Sequence, residues 1–172
     1  MKKTILLLLL PCILFFSCEG ERGEQGPKGD GELAKLYEIS EIDFLDPDYS
    51  IRYILPQNIN NSDMVLIYRL VDVVNRLDVW EPLPSPTLFL NDDNDTSVSY
   101  WFNFTRGDVD IFMESNNPDL VPDDLSKNQI FRIVVIPATF AENLTIDISD
   151  FNTVMSSLKF QKNDIYQKSS NN

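Results

Sequence analysis

The sequence predicts an all-β domain, an antiparallel two-sheet β-sandwich closed by a short C-terminal helix. A cleaved signal peptide and an unstructured glycine-rich tether precede it. Three observations predict this. Short runs rich in β-branched and aromatic residues are separated by Asn, Asp and Pro clusters, with turns roughly every eight to twelve residues. Glycine is dense from Gly20 to Gly31 and then returns only at Gly107. The run from Ser97 to Thr105 alternates, with Val98, Tyr100, Phe102 and Phe104 on one face and Ser97, Ser99, Trp101, Asn103 and Thr105 on the other.

Met1-Lys2-Lys3 followed by an apolar stretch to Phe16 has the basic and apolar regions of a secretory signal. The stretch is shorter than the roughly 20 apolar residues a membrane-spanning helix needs. It closes on Phe15-Phe16-Ser17-Cys18-Glu19, a small residue directly before Cys. This ending resembles the lipobox of bacterial lipoproteins, with Phe15 where Leu is commoner. The resemblance implies diacylglyceryl modification of the Cys18 thiol and cleavage before it, which removes residues 1–17. Cys12 leaves with the leader and Cys18 is alkylated, so no cysteine remains for catalysis or for a disulfide. Two or more acyl chains anchor a protein stably where one does so only marginally.

Residues 18–32 carry the lipidated Cys18 and glycine at every third position from Gly20 to Gly29. That is the collagen period. A single proline, Pro27, and about four triplets fall short of the collagen composition, which favours a hydrated spacer and a monomer over a trimeric stalk. As an extended chain the segment spans roughly 40 Å at about 3 Å per residue.

The β-rich domain is expected over residues 33–166. Strands are predicted at 36–44 and 49–55, parted by Asp46-Pro47-Asp48, and at 64–71, where near-continuous apolarity suits a strand covered on both faces. Asn75 to Asp78 turns the chain into Val79-Trp80-Glu81. Pro82, Pro84 and Pro86 demote the next stretch to an edge or a sheet crossing before strand character resumes at 87–90. The alternating strand at 97–105 is followed by a turn at Arg106-Gly107-Asp108, where glycine is expected to supply positive φ, and by a strand at 109–114. Residues 116–127 read as a long acidic loop with one helical turn near Asp123, and 130–136 as a second central strand. Asp150 caps a predicted helix at 151–158, with Val154, Met155 and Leu158 as its apolar stripe. Residues 167–172 read as a disordered tail. An immunoglobulin-like sandwich, or one similar, accommodates this number of strands.

The absence of His excludes a Ser-His-Asp triad, a Cys-His pair and imidazole-ligated zinc or haem. The net charge of −13 argues against nucleic acid as a partner. Losing Lys2 and Lys3 with the leader leaves 12 basic against 27 acidic residues, or −15. No nucleotide-binding glycine motif and no redox Cys pair is present, so no cofactor is expected. Asp92, Asp93 and Asp95 offer hard oxygen ligands for Ca²⁺, but Thr96 and Phe102 stand where an EF-hand loop needs Gly and Glu, and the same residues favour turns for local reasons. Trp80 and Trp101 are the candidate ligand-binding residues, as a carbohydrate platform; against this, Trp is on average a well-buried residue. Glycoside hydrolysis by paired carboxylates needs neither His nor Cys, but spacing nominates no pair. Arg106-Gly107-Asp108 and the sequons at Asn60, Asn94, Asn103 and Asn143 are read as chance matches.

Ser17-Cys18-Glu19-Gly20, the Gly20–Gly31 triplets, residues 64–70, 79–84 and 129–137 together give a layout that resembles small, uncharacterised lipoproteins of Bacteroidota-type bacteria. Those chains join a lipobox, a short collagen-like stretch and one β-rich domain. The resemblance implies an outer-membrane lipoprotein held by its N-terminal lipid, with Glu19, Glu21 and Glu24 compatible with export to the cell surface. It brings no catalytic residues. The expected function is a non-enzymatic binding or structural module for a protein or glycan ligand. The alternatives are an accessory carbohydrate-binding module using exposed Trp and, behind it, a carboxylate-based glycosidase.

Overall fold

Period-two patterning decides which way each strand faces. In the computed structural model, residues 34–90, 95–138, 147–158 and 165–169 are described. They form β1 (Lys35–Ile42), β2 (Ser50–Ile54), β3 (Met64–Val74), β4 (Leu77–Pro82), β5 (Leu88–Phe89), β6 (Ser97–Phe104) and β7 (Asp108–Ser115). A 3₁₀ turn (Pro118–Leu120), a one-turn helix α1 (Asp123–Ser126), β8 (Gln129–Ile136), α2 (Phe151–Ser157) and β9 (Ile165–Ser169) come after them. The strands make two sheets, one of five in the order β4-β3-β8-β1-β9 and one of four in the order β2-β7-β6-β5. Every pairing is antiparallel except that of β1 with β9. The expected strands and the C-terminal helix are thus present, with small shifts of boundary.

The two sheets share one core. Tyr37, Ile39, Val65, Ile67, Phe131 and Ile133 from the five-stranded sheet pack in one cluster with Tyr53, Val98, Tyr100, Val109, Ile111 and Met113 from the four-stranded one. Burying an aliphatic or aromatic side chain of this size contributes about 1.5–3 kcal/mol, so this cluster is the main source of stability. A second cluster lies on the opposite face of the five-stranded sheet. There Leu36, Tyr68, Val134 and Ile136 are covered by Phe151 and Val154 of α2. Coverage on both faces explains why β8 and the first half of β3 read as nearly continuous apolar runs.

α2 starts where predicted: the Asp150 carboxylate accepts from the Asn152 backbone N–H at 3.0 Å and also bonds the Thr153 hydroxyl. The β3–β4 hairpin turns at Asn75 and Arg76, with φ of 53° and 67°, as a two-residue primed turn requires. From β4 the chain crosses to the other sheet, with the Leu83 N–H donating to the Ile67 carbonyl and the Ser85 N–H to the Tyr100 carbonyl. The prolines therefore mark a sheet crossing.

Two expectations are corrected. Gly107 does not adopt positive φ. A Cβ there would stand 3.3 Å from Asn58 Oδ1, so close approach is what disfavours a side chain in this turn. The tail expected from residue 167 begins inside β9, because Gln167, Lys168 and Ser169 pair with Glu38, Ile39 and Ser40 of β1.

Candidate functional site

The two outer faces differ. That of the five-stranded sheet is covered by α2, whereas the four-stranded sheet directs Ser99, Trp101 and Asn103 of β6, Asp108, Asp110, Phe112 and Glu114 of β7, and Ser50 and Arg52 of β2 away from the core. Hydrogen-bond register puts Trp101 opposite Phe112, Asn103 opposite Asp110 and Ser99 opposite Glu114. Across the next ladder Arg52 stands opposite Asp110 and Ser50 opposite Phe112. The result is an aromatic row with a polar row on either side.

Trp101 and Phe112 stack with ring centroids 4.0 Å apart and planes 13° apart. Trp101 remains 38% exposed, as expected for a residue on the polar face of its strand. Beside them Arg52 donates from Nε and Nη2 to the two Asp110 carboxylate oxygens at 2.7 and 2.8 Å. Those hydrogen bonds hold the Asp110 carboxyl below the ordinary carboxylate range, and Asp110 with Asp108 pushes the Arg52 guanidinium up. Phe112 is the site residue not singled out from the sequence. The signal was present: Val109, Ile111 and Met113 face inward, so Phe112 faces outward, and the tight turn at residues 105–107 sets it across from Trp101.

Trp80 is elsewhere. It lies on β4 of the five-stranded sheet, half-buried, with its ring 5.2 Å from that of Phe151 and the Arg132 guanidinium 4.1 Å from its centroid. Arg132 is held in turn by Glu38 at 2.8 Å, and Gln167 donates to the other Glu38 oxygen at 3.0 Å. Trp80 is therefore a docking surface for α2, where the cation–π contact and Phe151 occupy its ring. The structure does not bring Trp80 and Trp101 together: they lie on different sheets, so they form no two-tryptophan platform, and the ring stacked on Trp101 is that of Phe112.

A buried polar node closes one end of the shared core. Arg69 is 7% exposed and points inward from β3. Its Nη1 donates to Gln129 Oε1 at 3.1 Å, Nη2 lies 3.6 Å from a Glu81 oxygen, and the guanidinium sits 4.1 Å from the Tyr100 ring centroid. Gln129 Nε2 donates to the Asp124 and Lys127 carbonyls, and the Tyr100 hydroxyl donates to that of Leu125. The node ties the 122–128 segment to both sheets. Burial pushes the Tyr100 phenol up to about 12.

Of the remaining sequence candidates, Cys18, Asp92 and Asp93 lie outside the described residues. Asp95 is exposed, and its carbonyl accepts from Asn116 Nδ2 at 2.8 Å. Among the described residues no group of three or more His, Cys, Asp or Glu side chains is arranged to hold a metal. The described carboxyls that move, Asp110 and Asp147, both move down, through hydrogen bonds from Arg52 and Ser149 respectively. No protein-family model matches the chain, nor does any curated protein or solved structure.

Proposed function

We propose that the chain is a lipid-anchored envelope lipoprotein of a bacterium, a non-enzymatic β-sandwich module that holds a ligand away from the outer membrane. In this reading Cys18 carries the lipid, residues 18–32 are the tether, and the β-rich domain presents the outer face of its four-stranded sheet to the surroundings at the cell surface. The protein acts as a monomer. The observation that carries the binding half is the contrast between the two outer faces. One is filled by α2 with an apolar lining, while the other has no covering element among the described residues and keeps Trp101, stacked on half-buried Phe112, partly in solvent. An exposed Trp backed by Phe in the middle of a sheet is the kind of rigid, amphipathic contact that anchors binding surfaces. The anchoring half rests on the Ser17-Cys18 ending of the apolar leader. The lack of His and of any free thiol after processing supports a holding role over a catalytic one.

Labelling of growing cells with an alkyne fatty acid tests the anchor. The wild-type chain takes the label and fractionates with membranes, and Cys18→Ala does neither. A Cys18→Ala chain that still partitions with membranes removes the proposal. Protease added to intact cells distinguishes the surface from the periplasmic side.

A further inference from the structure

We propose that the outer face of the four-stranded sheet is a binding site for a neutral polysaccharide chain, with Trp101 and Phe112 as its apolar contact. The inference rests on the proposed role of this face as the ligand-binding one and names the class of ligand.

Size is the first argument. A stable protein partner needs about 800 Å² of contact on each side with an apolar centre. Here the apolar contacts are separated: the stacked pair stands at the centre, Ile54 and Phe89 stand opposite Asp108 and Ser97 at the two ends of the face, and the rows about 7 Å to either side of the pair along the strands are polar. Asn103, Asp110 and Arg52 lie on one side and Ser99 and Glu114 on the other. A pyranose ring matches that pattern, since its C–H face is apolar and its rim carries hydroxyls that both donate and accept. The aromatic pair supplies the first contact and the flanking rows the second.

Charge narrows the class. Among the described residues, Asp108, Asp110 and Glu114 stand against the single cation Arg52 on this face. The field is acidic, so a polyuronate, an anionic lipid surface or a second copy of this chain, itself at −13, meets like charge. A neutral sugar does not. Preorganisation adds to this. Asp110 fixes the Arg52 guanidinium while the side chain stays 62% exposed, and the stack fixes Trp101, so little freedom is lost on binding. A chain is indicated over a single sugar because Phe89, 55% exposed, stands opposite Ser97 on the same face. Four residues along β6 separate Ser97 from Trp101, about 14 Å, which leaves room for more than one ring between the two aromatics.

The test is affinity electrophoresis of the full-length mature protein in detergent through gels holding laminarin, xylan, galactomannan, dextran or polygalacturonate. At least one neutral polysaccharide retards the protein and polygalacturonate does not. Trp101→Ala weakens the retardation at least tenfold, Trp101→Tyr weakens it less, and Trp80→Phe leaves it unchanged, with each variant's melting temperature taken alongside. Absence of retardation by all four neutral polysaccharides overturns the proposal. So does wild-type affinity in Trp101→Ala, or tighter binding of polygalacturonate. A disaccharide of the same sugar binding as tightly as the polymer overturns the extended chain. A photo-crosslinking residue at position 103, used in intact cells, separates the two levels. An adduct formed there while all four sugars fail leaves the face a binding surface and sinks the sugar; no adduct and no sugar sinks both.

Discussion

Arg52 and Asp110 show what a single pair does at the surface and what it does not. Asp110 keeps its proton off more readily in the fold than the value near 3.9 of an unfolded Asp, because Arg52 bonds both its oxygens. Its contribution to stability is therefore complete above that unfolded value and disappears as the pH falls through the lower folded one. Asp110→Asn is expected to lower the melting temperature by no more than a few degrees at pH 7, since exposed pairs are weak. The gap from wild type should narrow as the pH is taken below about 4, which thermal scans across that range measure. Arg69 belongs to the opposite regime. Its charge is buried, its Nε has no hydrogen-bond partner and its ion pair with Glu81 is long at 3.6 Å, so its place in the core depends on that carboxylate together with Gln129 and the Tyr100 ring. In the sequence Arg69 sits inside an apolar run and has no visible partner. Gln129 is 60 residues away and becomes one only when β3 and β8 align.

Among the elements, α2 is the clearest case of local signals and tertiary packing agreeing. Asp150 was legible as a cap because a carboxylate at that position satisfies a free N–H of the first turn. Asp150→Ala should cost about 1 kcal/mol. Phe151→Ala should cost about 3–5 kcal/mol, since Phe151 packs on Tyr68 at 5.0 Å and on Trp80 at 5.2 Å. In a Trp101→Phe background, Phe151→Ala should also move the Trp80 emission to longer wavelength, and an unmoved spectrum would detach α2 from Trp80. The strands with strict alternation or continuous apolarity were legible for the same physical reason: burial on one or both faces writes a period into the sequence. β9 was not, because its Ile165-Tyr166-Gln167-Lys168-Ser169 carries little apolar pattern. It is a strand by virtue of backbone pairing at the edge of β1, which leaves no trace in side-chain choice. The site was half legible on the same grounds. Alternation placed Trp101 outward, but nothing in the sequence announces that α2 claims Trp80.

At the scale of the whole molecule the charge is the dominant long-range property. A net charge of −13 distributed over one chain works against its own compaction. The screening length shrinks from about 30 Å at 0.01 M salt to about 8 Å at 0.15 M. The protein is therefore expected to melt higher at 0.15 M than at 0.01 M sodium chloride, and a melting temperature indifferent to salt would mean that the acids are locally compensated. The connectivity carries a mechanical consequence. The chain enters β1 at Lys35 and leaves β9 at Ser169, and these adjacent strands run parallel, paired from Leu36 with Ile165 to Ser40 with Ser169. A force drawing the two ends of the domain apart thus pulls the strands lengthwise past one another. The five paired positions are loaded together in shear and do not peel open one at a time, a geometry that resists tension applied between the two ends of the domain.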